Sequence, residues 1–180
     1  MTFYAIIFDH TGAGWGTATY VEEPTSYPAN EAPCIAAQAR NPTLWQLVNG
    51  ALVQSLSATQ TAQIALLRSA YVNAIAADIS FTDAAGVTDT YQCDPASIQA
   101  LQNCLSGFRA AAAVPTAPVV FYWRSATNNN NPFTYGDLEK LAQAITTRNF
   151  AYYNQLQALI AKVKAAKKVS AAQAVVWVDS

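Results

Sequence analysis

The sequence predicts an α+β protein: a small N-terminal β-rich unit followed by a three-helix domain that carries a small antiparallel sheet. Three observations lead there. Short aromatic and β-branched runs separated by Gly, Pro and Asn-Gly turns fill residues 1–56. Apolar residues then recur every three or four positions in three long segments. Two further extended patches interrupt those segments, which places a small sheet among the helices.

In the first region, Phe3–Phe8 is a strand by composition, Thr11–Gly14 a turn and Thr17–Val21 the returning strand. Gly12-Ala13-Gly14-Trp15-Gly16 reads as a turn rather than a dinucleotide loop, because no helix N-terminus follows to meet a phosphate. A loop through Pro24, Pro28 and Pro33 follows, then a short helix within Cys34–Ala39. Asn49-Gly50 between Leu44–Val48 and Ala51–Gln54 is a strong hairpin signal, since both turn positions need positive φ.

The second region, 57–180, opens on Ser57-Ala58-Thr59-Gln60, a capping-box pattern, followed by the stripe Ile64, Leu67, Tyr71, Ile75 and Ile79. A hairpin spans Ile79–Cys93 around Gly86. Asp94 caps the next helix, and Pro95 at its first position loses no hydrogen bond. That helix carries Ile98, Leu101, Cys104, Leu105 and Phe108 on one face and stops before Pro115. Val119–Trp123 is a strand, Asn128–Asn131 with Pro132 a loop tip, and Thr134 with Asp137 starts the last long helix. Its stripe (Leu138, Leu141, Ile145, Tyr152, Leu156, Leu159, Val163) breaks near Arg148 and Asn149, which predicts a kink or a change of partner. Lys162, Lys164, Lys167 and Lys168 suit the negative end of the helix dipole. Ser170–Gln173 repeats the capping pattern ahead of a short helix ending with Trp177.

Charged residues make up 12% of the chain, about half the usual ~25%, and hydrophobic residues 52%. A surface of Ala, Ser, Thr, Asn and Gln costs little to desolvate and suits a protein packed against partners. A net charge of −1 offers no field for a phosphate backbone, so no nucleic-acid partner is expected. No apolar run reaches the ~18 residues of a membrane span, and the N-terminus reads as a strand rather than a signal peptide. Folding in a cytoplasm is therefore expected, with Cys34, Cys93 and Cys104 reduced.

The chemistry-bearing residues point away from catalysis. His10 is the single histidine, and its neighbour Asp9 leaves a strand on the opposite face. Asp78, Asp83, Asp89 and Asp94 lack calcium-loop spacing; Asp83 and Asp89 are expected to stabilise turns. The cysteines lack zinc-ligand spacing, so neither a metal nor a cofactor is expected. A glycan-cleaving enzyme would need two converging carboxylates, and neither Glu22/Glu23 nor Asp137/Glu139 is spaced to converge. The aromatic residues Trp15, Tyr20 and Tyr27, in or near loops of the β-rich unit, are the candidate partner-binding residues, because Tyr and Trp bury large area at small entropic cost.

The order of these pieces resembles a known family. Ala62–Trp177, with Tyr91-Gln92-Cys93-Asp94-Pro95-Ala96-Ser97, then Trp123, Asn128–Asn131, Leu138–Ile145 and a closing Ala171–Trp177, resembles an uncharacterised C-terminal domain of bacteriophage tail proteins. Phe3–Asp9 with its Gly turn, and Trp45–Gly50, resemble small tail-fibre assembly proteins. Ala84-Ala85 enlarges the hairpin relative to that pattern, and Asn128–Asn131 replaces a more usual Asp-Asn element. The resemblance transfers no catalytic residue. It implies a non-enzymatic tail accessory or structural protein that binds a tail-fibre or baseplate protein, made in the host cytoplasm and retained in the virion tail. The alternative is an assembly chaperone absent from the mature virion. Self-association into a homo-oligomer is compatible with either role.

Overall fold

A computed structural model describes residues 2–112 and 121–178. The chain is α+β, and it forms two compact units: Met1–Leu67 with Leu159–Val176, and Arg68–Ala158 with Trp177–Ser180. Two long helices, α2 (Leu56–Ala76) and α4 (Tyr135–Ala165), supply residues to both.

In the first unit, β1 (Phe3–Phe8) is the centre of a three-stranded antiparallel sheet in the order β2-β1-β3, with β2 at Gly14–Tyr20 and β3 at Glu31–Cys34. Gly14 and Gly16 therefore belong to a strand, not to the predicted turn, which tightens around Gly12 at φ +80°. Gly14 is needed for space: a Cβ there would lie 2.2 Å from the Pro42 carbonyl oxygen. Ile7 pairs with Gly16 and Phe8 with Gly14, so Trp15 is the extra residue of a bulge. The strand stops at Tyr20, one residue short of the predicted Val21. Pro33, expected in a loop, lies inside β3 opposite Ala5; an edge strand tolerates proline where its nitrogen faces outward.

Ile6, Phe8 and Ala32 form the core of this sheet, and Cys34, Trp45, Leu47 and Leu52 pack against it. The last three come from the hairpin of β4 (Trp45–Val48) and β5 (Ala51–Gln54), turned by Asn49 (φ 51°) and Gly50 (φ 77°) as the Asn-Gly signal predicts. A four-residue helix α1 (Ala36–Ala39) and a 3₁₀ turn at Pro42–Leu44 link the pieces. Helix α2 is capped by Ser55, not Ser57: Ser55 Oγ accepts from Ala58 N at 3.3 Å and its carbonyl accepts from Thr59 N. Gln60, expected to complete that box, instead donates to the carbonyls of Val163, Lys164 and Ala166 and satisfies the end of α4. The short helix α5 (Val169–Gln173) has Lys168 at its N-cap and no side-chain cap; Ser170 lies inside it, and Trp177 lies beyond it.

Among the described residues of the second unit, two hairpins and three helical segments pack around a shared core. The hairpins are β6 (Ile79–Thr82) with β7 (Thr88–Tyr91), and β8 (Phe121–Arg124) with β9 (Asn130–Phe133). Val119 and Val120, predicted to open the second, lie outside the described residues, as does Pro115. Asn130, Asn131 and Pro132 are strand, not loop tip; the reversal lies at 125–129, where Asn128 takes φ 67°. Helix α3 (Pro95–Ala112) starts on Asp94, whose Oδ1 accepts from Ala96 N (2.9 Å) and Ser97 N (3.1 Å). The core holds Tyr91, Leu101, Phe108, Phe133, Leu138, Leu141 and Ile145. Cys93 is buried there, whereas Cys104, expected to be buried, packs half-exposed at its margin. All three cysteines are free. Helix α4 passes without interruption through Arg148 and Asn149, where the apolar stripe breaks. Trp177 makes edge-on contacts with Tyr71 and Tyr152, at ring-centroid separations of 6.3 and 5.7 Å.

Candidate partner-binding site

Register decides which side chains of the N-terminal sheet share a face. Phe3 pairs with Tyr20, Ala5 with Ala18 and Pro33, and Ile7 with Gly16 and Glu31, so Tyr20 and Glu31 stand on the face opposite the Ile6–Phe8 core. The Tyr20 hydroxyl donates to Glu31 Oε2. That hydrogen bond, with burial and the carboxylate charge, pushes the phenol above its ordinary pKa. Tyr27 meets the Tyr20 ring edge to face at 5.7 Å. The structure thus brings together two of the three candidate aromatics. Trp15 stands apart on the face of Thr17 and Thr19 and is 62% exposed.

Beside Tyr27 opens a shallow groove of about 520 Å³, lined by Phe3, Glu23, Tyr27, Pro33, Ile35 and Gln38 among others. Ile35, 66% exposed, stands on its rim because it precedes α1 in an extended conformation, held by Gln38 Oε1 accepting from its amide. Apolar walls with one carboxylate and one amide suit an extended segment whose backbone needs a few polar partners. Sequence reasoning did not find Ile35 or Pro33 as site residues. Their signal is weak, since each is a single apolar residue in a loop-like stretch.

The acidic residues elsewhere have structural partners. Asp9 closes the β1–β2 turn by accepting from Thr11 Oγ1 (2.6 Å), Thr11 N and Ala13 N, which lowers its pKa. His10 is exposed in that turn. Asp83 accepts from Val87 N and stabilises its own turn as expected. Asp89 does not act within its own turn: its carboxylate accepts from Thr127 Oγ1, Asn129 Nδ2 and Asn131 Nδ2, and so ties β7 to the β8–β9 hairpin. The Thr90 amide and these neighbouring donors hold it well below the usual carboxylate range. Asp137 is 3% exposed; burial raises its pKa, but bonds from Thr134 and the Ala84 amide outweigh that and leave it lowered. Among the described residues, no three His, Cys, Asp or Glu side chains converge as metal ligands, and no helix is long and apolar enough to cross a membrane.

These features define an α+β protein with a partly exposed apolar face on its N-terminal unit. Residues 58–179 match the family described as Domain of unknown function (DUF4376), and the chain belongs to that family. No curated protein and no solved structure matches the chain.

Proposed function

We propose that this chain is a non-enzymatic bacteriophage tail accessory protein that binds a tail-fibre protein or its baseplate attachment site, and that it remains in the virion tail. The reading rests on the resemblance of both regions to tail-fibre modules. The observation that carries it is a groove lined by Tyr27 and Ile35, with Tyr20 packed edge to face behind Tyr27, on a chain with few charges. The carboxylates Asp9, Asp89, Asp94 and Asp137, each occupied by a turn, a staple or a cap, fit a binding role better than a catalytic one. Partner capture uses the groove, with Tyr27 as its aromatic anchor and Ile35 on its rim.

Co-expression with the neighbouring fibre protein, followed by affinity capture, tests this. The expected result is co-purification that Tyr27→Ala or Ile35→Asp weakens about tenfold or more. Absence of capture by the wild-type chain, or full capture by both variants, contradicts it.

A further inference from the structure

Arg40 is the single Lys or Arg within residues 1–56, a stretch that also holds the carboxylates of Asp9, Glu22, Glu23 and Glu31. None of the four pairs with it. Asp9 closes its own turn, and Glu31 accepts from Tyr20. Among the described residues, the Arg40 side chain has no hydrogen-bond or ion-pair partner. Register brings other donors to it. Tyr4 pairs with Thr19 and Ile6 with Thr17, so both threonines share the face of Tyr4. Helix α1 packs on β1 at this end of the face, and Arg40 is its C-cap. Between helix and sheet lies a cavity of about 190 Å³ lined by Tyr4, Thr17, Thr19, Ala36, Ala39 and Arg40. The side chains of Ala36 and Ala39 are too short to fill it. Its polar side chains are one guanidinium and three hydroxyls, all able to donate, and no carboxylate lines it.

Converging donors with no anion of their own suit an oxyanion. A guanidinium fork flanked by hydroxyls matches the two oxygens of a carboxylate. Free phosphate fits less well, because it carries more charge and carboxylates outnumber the one guanidinium in this region. The cavity meets the groove beside Tyr27 at Tyr4 and Ala36, which line both. A carboxylate seated under Arg40 is therefore continuous with an apolar segment lying along Tyr27 and Ile35. Glu23 lines that groove and repels a second anion from it, which fixes the polarity of the occupant. A small cavity opening into a longer groove takes one terminal residue and leads the chain away, as a chain end requires. We propose that Arg40, Thr17, Thr19 and Tyr4 form a receptor for the C-terminal carboxylate of an extended partner peptide, whose preceding apolar side chains occupy the groove. This rests on the reading of the groove as the partner site and adds which end of the partner enters it.

Titration of the isotope-labelled full chain with short peptides, followed through its backbone amides by NMR, is the test. The probes are N-acetyl-leucyl-alanyl-alanine as the free acid, the same peptide as its C-terminal amide, N-acetyl-leucyl-glutamyl-alanine amide, and inorganic phosphate. The free acid should shift the amides of Thr17, Thr19 and Arg40 saturably, and its amide should bind at least about fivefold more weakly. Arg40→Gln and Thr19→Val should each weaken the free acid at least about threefold. Both positions are exposed, so both variants should keep the fold. No saturable shift with the free acid, equal binding of acid and amide, or unchanged binding in either variant overturns the proposal. So does a glutamyl peptide amide or phosphate that binds as tightly as the free acid, since the cavity would then not read a chain end. No fibre protein enters these measurements. Failed capture beside a successful titration would fault the partner assigned to the groove and leave the carboxylate site standing.

Discussion

Arg148, at the middle of α4, closes the end of α2 on Ala77: its Nη1 donates to the Ala77 carbonyl at 2.8 Å and to the Asp78 carbonyl at 3.3 Å, while Nη2 donates to Ile75 at 3.0 Å. The last carbonyls of a helix have no partner of their own, and a cation there also meets the negative end of the dipole. Three carbonyls served by one guanidinium explain why the apolar stripe of α4 breaks at this point. Arg148→Ala should lower unfolding stability by about 2 kcal/mol, and Arg148→Lys, with one donor head and no fork, should recover only part of it. Urea denaturation of the three proteins measures this; equal midpoints would count against the cap.

Asp89 links pH to stability. Its folded pKa lies below the ordinary 3.8, so its contribution is fully present above that value, fades as pH falls beneath it and is lost as pH falls through the lowered folded value. Asp89→Asn should lose stability at neutral pH and show a flatter decline below about pH 4 than the wild type. Denaturation midpoints across that range test the sign. Parallel acid limbs would show that the carboxylate is not what Asn129 and Asn131 hold.

Asp137 joins two elements through one side chain. It caps α4 by accepting from Thr134 N (2.9 Å), and it accepts from the Ala84 amide of the β6–β7 turn (2.8 Å). Asp137→Ala should cost about 2 kcal/mol, because it removes a cap and strands a backbone donor. Amide exchange should quicken at Ala84 as well as in the first turn of α4. Faster exchange in α4 alone would contradict the second role.

Two glycines should respond with opposite signs. Gly14→Ala places a methyl 2.2 Å from the Pro42 carbonyl oxygen, which is backbone and cannot swing aside, so a loss of about 2 kcal/mol or more is expected. Gly107 lies inside α3 with nothing within 4 Å of an added Cβ, so Gly107→Ala should gain about 0.5–1 kcal/mol. Thermal unfolding of both variants checks the pair.

The parts legible in the sequence were those governed by local rules. The Asn49-Gly50 turn, the Asp94 cap with Pro95, and the Thr134/Asp137 start all stand where backbone preference puts them. What escaped depended on partners far along the chain. Gln60 fits a capping box locally, but carbonyls more than a hundred residues away claim its amide. Pro33 reads as a loop residue until β1 supplies an edge position that suits it. Asn130 and Asn131 read as a loop tip because their pairing with Arg124 and Trp123 leaves no mark in polar composition. In the candidate site, the aromatic types were visible, but the contact between Tyr20 and Tyr27 needs a loop path that no periodicity encodes.

Quantitative mass spectrometry of purified virions tests the proposed role most directly. The account predicts this chain in the particle at a fixed ratio to the tail-fibre protein. Particles that carry full-length fibre but none of this chain would contradict it and assign the protein to assembly alone.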